Sequence, residues 1–436
     1  MKRLFFGGIH PNYNKEMSKT TSDFMTVTPG QVVIPMQQHI GVPCMPLVKV
    51  GDRVLMGQKI GDGEGLCVPV HASVSGTVIA FEPRPHTNGR LVNAVVIEND
   101  MLDETAPEFE CDLPLEELEA ETVLHAIREA GIVGMGGAAF PGNVKALSSM
   151  GKIDTLIANA CECEPYITAD DALLCTAAEH VLEGMQILKQ ILKPKRVVLA
   201  IEDNKVEAIN RVKSLETKYT DIEILVLPTM YPQGAEKQLV QSVTAREVPP
   251  GQLPASVGCA VFNVSTFAAI YRAVRLGRPL YQRIVTVTGE GIEKPQNFIV
   301  RIGTPLQDLI EAAGGLKENT ERVISGGPMM GTAQSDLKVP VIKATNSVLC
   351  LFKDKNGVAE NPVCLRCGKC VDACPMRLQP LYMYRFVNAE RLDELNRLNL
   401  MDCMECGCCS FACPAKLPLV ESFRKGKIML REAKKQ

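Results

Sequence analysis

The pattern of hydrophobic positions divides the chain into stretches of different periodicity. Near the start, Val48-Lys-Val and Val74–Ile79 are short β-rich runs with turn signals at Gly51-Asp52 and Ser75-Gly76, which predicts a small β module. From Leu115 the pattern alternates. Leu118, Val123, Ile127 and Ala130 mark a helix, and residues 153–158 an apolar strand. A long amphipathic helix follows through Leu174, Ala178, Val181, Met185, Leu188 and Leu192, with Asp170 or Asp171 as its expected N-cap. Residues 197–201 read as the next strand, Asn204-x2-Glu207 as a helix start and residues 222–227 as a further strand. Strands alternating with helices predict a parallel sheet whose ligand lies at the carboxyl ends of its strands. Val285-Thr-Val-Thr-Gly289 and then residues 306–313 read as strand and helix, and a helical spacing returns through Leu381, Phe386, Leu392, Leu395 and Leu398.

The length of 436 residues is enough for two to four domains. Forty-seven basic against fifty acidic residues, a formal charge of −3 and no tryptophan remove the electrostatic basis for a nucleic-acid binder. No run of 18 apolar residues occurs, so no helical membrane span is expected. The first ten residues hold only Leu4, Phe5 and Phe6 as an apolar run, too short for a signal peptide. A cytoplasmic setting is therefore expected, and there the 17 cysteines point to metal or redox chemistry rather than disulfides.

Eight of those cysteines repeat one spacing: Cys364-x2-Cys367-x2-Cys370-x3-Cys374-Pro375 and Cys403-x2-Cys406-x2-Cys409-x3-Cys413-Pro414. Three thiolates two residues apart can wrap one face of a cubane cluster, and the fourth, stopped by proline, is carried to a neighbouring cluster, as in bacterial ferredoxins. The expected ligation is crossed, with Cys364, Cys367, Cys370 and Cys413 on one [4Fe–4S] cluster and Cys403, Cys406, Cys409 and Cys374 on the other. Zinc also accepts paired Cys-x2-Cys, but it leaves the third cysteine, the proline ending and the duplication unexplained.

A glycine-rich turn follows the first helix, and three polar loops follow successive strands. The glycines at 134, 136 and 137 allow close backbone approach to a ligand, with Lys145 placed to neutralise a phosphate; a plain tight turn is the simpler reading of that segment alone. Asn159, Glu162 and Glu164 supply an amide and two carboxylates suited to sugar hydroxyls. Tyr231, Gly234 and Glu236 form the next loop, and Asn263 with Thr266 adds an amide and a hydroxyl.

In order, Gly134-Met-Gly-Gly-Ala-Ala-Phe-Pro-Gly-Asn-Val-Lys145, Asn159-x4-Glu164-Pro165, Tyr231-x2-Gly234-x-Glu236 and Asn263-Val-x-Thr266 resemble the flavin and NADH motifs of the 51 kDa subunit of respiratory complex I. Phe6-Gly-Gly-Ile-His-Pro11, with Lys15 after it, and the duplicated cysteine motif resemble the RnfC family of the Rnf electron-transport complex. The resemblance covers nearly the whole chain. It implies noncovalent FMN held around Gly134, Gly136, Gly137, Lys145, Asn159, Glu162, Asn263 and Thr266, with Phe140, Glu164, Tyr231 and Glu236 at positions that contact NADH. Met135, Cys161 and Ala235 stand where complex I has Arg, Asp and a second Glu, and each removes a polar contact. It further implies a peripheral subunit on the cytoplasmic face of a membrane complex that couples electron transfer between ferredoxin and NAD to Na+ or H+ translocation. Its partners would be the membrane subunits and a ferredoxin-type subunit. A soluble cobalamin reductase with the same modules and a non-catalytic iron–sulfur adaptor are the alternatives.

The expected architecture is multidomain α/β. Residues 1–112 resemble a barrel-sandwich hybrid of the biotinyl/lipoyl type, residues 113–280 a Rossmann-like FMN/NADH domain, residues 281–355 a β-grasp (SLBB-type) domain and residues 356–436 a helical dicluster ferredoxin domain. Residues 61–70 contain no lysine to carry a swinging cofactor, so the first module reads as scaffold. The six histidines show no paired spacing, so no catalytic metal site is expected of them. Residues 424–435 read as a solvated basic tail. The cysteines outside the two motifs and the loop at 161–163 read as small buried residues.

Overall fold

The computed structural model describes residues 5–19, 24–108, 110–353 and 362–433. The start of the chain before Phe5, the boundary expected at 355/356 and the end of the basic segment lie outside the described residues. Four modules follow one another in the expected order. In the first, strands Gln31–Pro35, Leu91–Asn99, Gly76–Pro85 and Arg53–Val54 form an antiparallel sheet, facing a smaller sheet of Met45–Pro46, Lys59–Asp62 and Val70–His71. Alternate residues Val32, Ile34, Val95, Ile97 and Val78 point inward with Val54, Ile60 and Val70 between the sheets. Gly76 closes one turn where a Cβ would stand 1.9 Å from the Glu98 carbonyl, so only glycine fits.

The second module is a four-stranded parallel sheet in the order Ile222–Leu227, Arg196–Glu202, Thr155–Ala160, Cys259–Asn263. The first strand in sequence, Thr155–Ala160, is internal: the next two strands stack on one side of it and the fourth crosses back to its other side. That creates a crevice at its carboxyl end, where a doubly wound sheet takes its ligand. Helices Ala169–Leu192 and Val264–Leu276 pack together over one face through Val181, Met185, Leu188, Phe267 and Ile270. Gly184 is the close-approach point, because a Cβ there would stand 2.0 Å from the Phe267 carbonyl. Helix Ala120–Glu129, expected from its spacing, leads into the glycine loop and then helix Gly142–Ser149.

In the third module, strands Gln296–Arg301, Gln282–Thr288, Ser347–Phe352, Thr320–Ser325 and Thr332–Gln334 form a mixed sheet covered by helix Leu306–Ala312. Residues Met25–Val27 add a parallel edge strand on Gln296–Arg301, so the chain's start is woven into this sheet. The fourth module is helical between its cysteine motifs, with helices Pro380–Asn388 and Leu392–Arg397. The basic segment is not a solvated tail as far as residue 433. It is helix Leu419–Ala433, which buries Phe423 and Leu430 against Met383, Val387 and Leu395. Its apolar positions 419, 423, 426 and 430 have helical spacing that the charge run obscured. Among the described residues no helix is long and apolar enough to cross a membrane.

Candidate functional site

The crevice is built on the central strand and its neighbour Cys259–Asn263. Asn263 caps helix Val264–Leu276, its side-chain oxygen accepting from the Ser265 amide at 2.9 Å. Thr266 Oγ1 accepts from the Met135 amide at 3.0 Å and so ties the glycine loop to that helix start. Gly136 lies directly on Asn263, where a Cβ would meet its side chain at 2.9–3.0 Å, whereas a Cβ at Gly137 would find nothing within 4 Å. Gly136 and Gly137 are exposed, so bare backbone faces the crevice. Gly134 closes the loop through its amide to the Phe140 carbonyl at 2.9 Å, and Phe140 itself is half-buried.

Lys145, on the first turns of helix Gly142–Ser149, pairs with Glu236 at 2.6 Å. Asn159 donates to the Gly234 carbonyl at 2.8 Å and accepts from the Cys161 amide at 3.0 Å. Gly234 fits against the Cys161 carbonyl at a distance that no Cβ could occupy. The loops after the first, third and fourth strands of the sheet thus meet at one place. An exposed glycine backbone, a lysine, two amides and the start of a 13-residue helix suit a phosphorylated, hydroxyl-bearing ligand, and the residues fit FMN.

Glu162 turns away from solvent. Its carboxylate accepts from the Asp170 amide at 2.8 Å and lies 3.5 Å from the Asp171 amide, at the start of helix Ala169–Leu192. The N-cap is Thr168 rather than either aspartate, and the cap is supplied by Glu162 from the preceding loop. Asp170 instead binds Asn263 at 2.6 Å and Ser265 at 2.7 Å. Beneath the loop, Lys15 donates to the carbonyls of Glu162 and Glu164 at 2.7 and 2.9 Å. Burial pushes the Glu162 carboxyl up to about 7 against the pull of Lys15. Burial, and after it the neighbouring Lys205, lowers Lys15 to about 8. Glu202 and Lys205 are fully buried beside this cluster and were missed in the sequence. The available signal was a carboxylate ending an otherwise apolar strand.

Tyr231 faces the fourth module, and Glu164 the 327–330 turn of the third. Tyr231 is buried and donates to the Cys406 carbonyl at 2.7 Å. Glu164 Oε1 accepts from the amides of Met329 and Met330 at 3.1 and 2.8 Å, and burial pushes this carboxyl up to about 7. The opening Gly7-Gly8-Ile9 lies in the same seam. Gly8 donates to the Ala373 carbonyl at 3.1 Å, and Ile9 exchanges two hydrogen bonds with Tyr231 at 2.8 and 3.0 Å. A Cβ on Gly7 would strike the Cys374 carbonyl at 2.7 Å.

The motif cysteines fall into two electrostatic neighbourhoods. Cys370 senses Cys413 and Cys364, whereas Cys403 and Cys409 sense Cys406 and Cys374. That division supports crossed ligation. Cys374, Cys403, Cys406 and Cys409 line a small apolar pocket with Met383 and Phe423. Four thiols around an apolar space fit an iron–sulfur cluster. Lys427 donates to Glu405, and Arg424 pairs with Glu405 at 2.9 Å, fastening the last helix to the second motif. Cys408 is fully buried beside Cys406.

Four families match in chain order: the RnfC barrel sandwich hybrid domain over residues 3–102, the Nuo51 FMN-binding domain over 127–272, the SLBB domain over 284–333 and the 4Fe-4S dicluster domain over 357–414. The chain is 45 % identical over 425 residues to component C of the Na(+)-translocating ferredoxin:NAD(+) oxidoreductase complex of Acetobacterium woodii, covering 97 % of this chain and 96 % of the relative. It belongs to the RnfC family. A second member, component C of the proton-translocating ferredoxin:NAD(+) oxidoreductase complex of Clostridium ljungdahlii, is 42 % identical, covering 97 % of this chain and 93 % of its own length. Among solved structures, an NAD+-reducing [NiFe]-hydrogenase in the H2-reduced state shares the fold, with 21 % identity, a TM-score of 0.50 and coverage of 73 % of this chain and 64 % of that one. The RnfC family accounts for the order of modules, and with it the expected fold class is borne out.

Proposed function

We propose that this chain is the NAD(H)-reactive flavo-iron–sulfur subunit of a membrane-bound complex that couples electron transfer between ferredoxin and NAD to ion translocation. The observation that carries it is the direct seam between the crevice and the second cysteine motif, closed by Tyr231 on Cys406. NADH gives up electrons as a pair and a cubane cluster takes one at a time; FMN, when bound, supplies the conversion between the two. The chain's own groups position rather than react. The glycine backbone at 134–137, Lys145, Asn159, Asn263 and Thr266 would hold the flavin. Glu162 and Lys15 fix the 159–164 loop, Phe140 and Glu236 would lie on the nicotinamide side, Glu164 holds the 329–330 turn, and Tyr231 ties the crevice to the second cysteine motif. The crossed sets Cys364, Cys367, Cys370, Cys413 and Cys403, Cys406, Cys409, Cys374 would hold the two clusters.

The partners are the membrane subunits and the ferredoxin-type subunit of such a complex, with NAD+ or NADH as substrate, and the chain docks on the cytoplasmic face. Full-length similarity to the RnfC components of such complexes supports this reading over a cobalamin reductase or an adaptor. Membranes from cells lacking this chain should lose ferredoxin-dependent NAD+ reduction and regain it when the purified, cofactor-loaded protein is added back. Retention of the activity without the chain would contradict the assignment.

A further inference from the structure

Two cysteines read as fillers, Cys44 and Cys67, come together with a histidine in the core of the first module. Cys44 Sγ and Cys67 Sγ are 3.5 Å apart, and His39 Nε2 lies 4.0 and 3.7 Å from them. All three residues are buried. The point equidistant from the three atoms lies about 2.2 Å from each, between the usual metal–nitrogen and metal–thiolate bond lengths of ~2.0 and ~2.3 Å. A sulfur pair at 3.5 Å is well beyond the ~2.05 Å of a disulfide.

His39 Nδ1 donates to the Ile40 carbonyl at 3.2 Å, which makes Nε2 the acceptor nitrogen on the side of the sulfurs. Its lone pair accepts from the Val68 amide at 3.3 Å and the Cys44 thiol donates to the Val68 carbonyl at 3.3 Å, two bonds that a bound ion would replace. Lys343, buried with its ammonium on the carbonyls of Pro69 and Gly131 at 2.7 and 2.6 Å, acts electrostatically on both thiols. Two thiolates, a neutral imidazole and this ammonium sum to one negative charge, which a monovalent cation cancels and a divalent one overshoots.

We propose that Cys44, Cys67 and His39 form a trigonal site for copper(I), a soft cation that thiolate and imidazole ligands select. Binding releases the two thiol protons and changes no oxidation state. The site is separate from the cluster motifs. It lies at the root of the strap whose Ile40 amide donates to the Ala139 carbonyl in the glycine loop at 3.2 Å.

Full-length, cluster- and flavin-loaded protein should take up one equivalent of copper(I) per chain under anaerobic titration in the presence of a competing chelator. Cys44→Ser and Cys67→Ser should each abolish that uptake with iron and flavin content unchanged, which also shows that the variants fold. X-ray absorption at the copper edge of the unaltered protein should show two sulfur neighbours and one nitrogen. Zinc bound in place of copper, no copper retained, an all-sulfur shell, or a Cys44–Cys67 disulfide in anaerobically purified protein would each overturn the proposal.

Discussion

The phenol of Tyr231, at the crevice loop, donates to the main-chain carbonyl of Cys406 at 2.7 Å, inside the second cysteine motif. Both groups are buried, so the bond joins the two redox modules without intervening solvent. Tyr231→Phe removes the donor and leaves a buried carbonyl unsatisfied, at a cost of about 1–3 kcal/mol. Flavin and iron content should be retained, while reduction of the clusters by NADH slows by roughly fivefold, the factor that about 1 kcal/mol at the low end of that range corresponds to. Stopped-flow absorbance measures it, and an unchanged rate would remove Tyr231 from the electron path.

Cys374 lines one pocket with Cys403, Cys406 and Cys409 of the second motif. Cys374→Ser should therefore disturb the cluster of the second motif. Electron paramagnetic resonance showing damage confined to the first-motif cluster would contradict crossed ligation.

Gly136 touches the Asn263 side chain where a Cβ would crowd it at 2.9–3.0 Å. Gly136→Ala should push the loop off Asn263 and lower FMN affinity by about tenfold or more, which corresponds to ~1.4 kcal/mol. Fluorescence titration of the deflavinated protein measures this, with iron content as the control; unaltered affinity would place the flavin elsewhere.

Burial raises the Glu162 carboxyl to about 7 from an ordinary 4.5. Between those values the folded chain keeps a proton that the unfolded chain has lost, so stability falls as pH rises through that window. Lys15, lowered to about 8 from 10.5, is charged in both states there and does not mask the effect. Thermal melts of apo protein should show Glu162→Gln gaining on the unaltered chain between pH 4.5 and 7, by on the order of 1–3 kcal/mol. Parallel curves would contradict the burial argument.

Much of the fold was legible because its elements are locally encoded. The strand expected at 197–201 runs Arg196–Glu202, and the long helix expected after residue 170 runs Ala169–Leu192. The proline-terminated cysteine motifs were legible from spacing alone. The cap at Thr168 was not, since its carboxylate comes from Glu162 in the preceding loop and competes with two nearby aspartates that look like better caps. The role of Gly7-Gly8-Ile9 was hidden because its partners, Tyr231 and Ala373, lie over 200 residues away. His39, Cys44 and Cys67 are only 28 positions apart at most, but their spacing matches no metal motif and the barrel-sandwich is what brings them together. Cys111 and Cys175, expected to be buried, are only partly so.

In the proposed function, one chain passes electrons between NAD(H) and paired clusters through a flavin at the 134–137 loop. The most direct measurement is anaerobic rapid mixing of NADH with the purified, cofactor-loaded chain. The flavin absorption band should bleach first and the iron–sulfur band afterwards, with both changes lost in Gly136→Ala prepared without flavin. Flavin-loaded protein that NADH leaves unchanged, or clusters that are reduced with no prior flavin bleaching, would contradict the account.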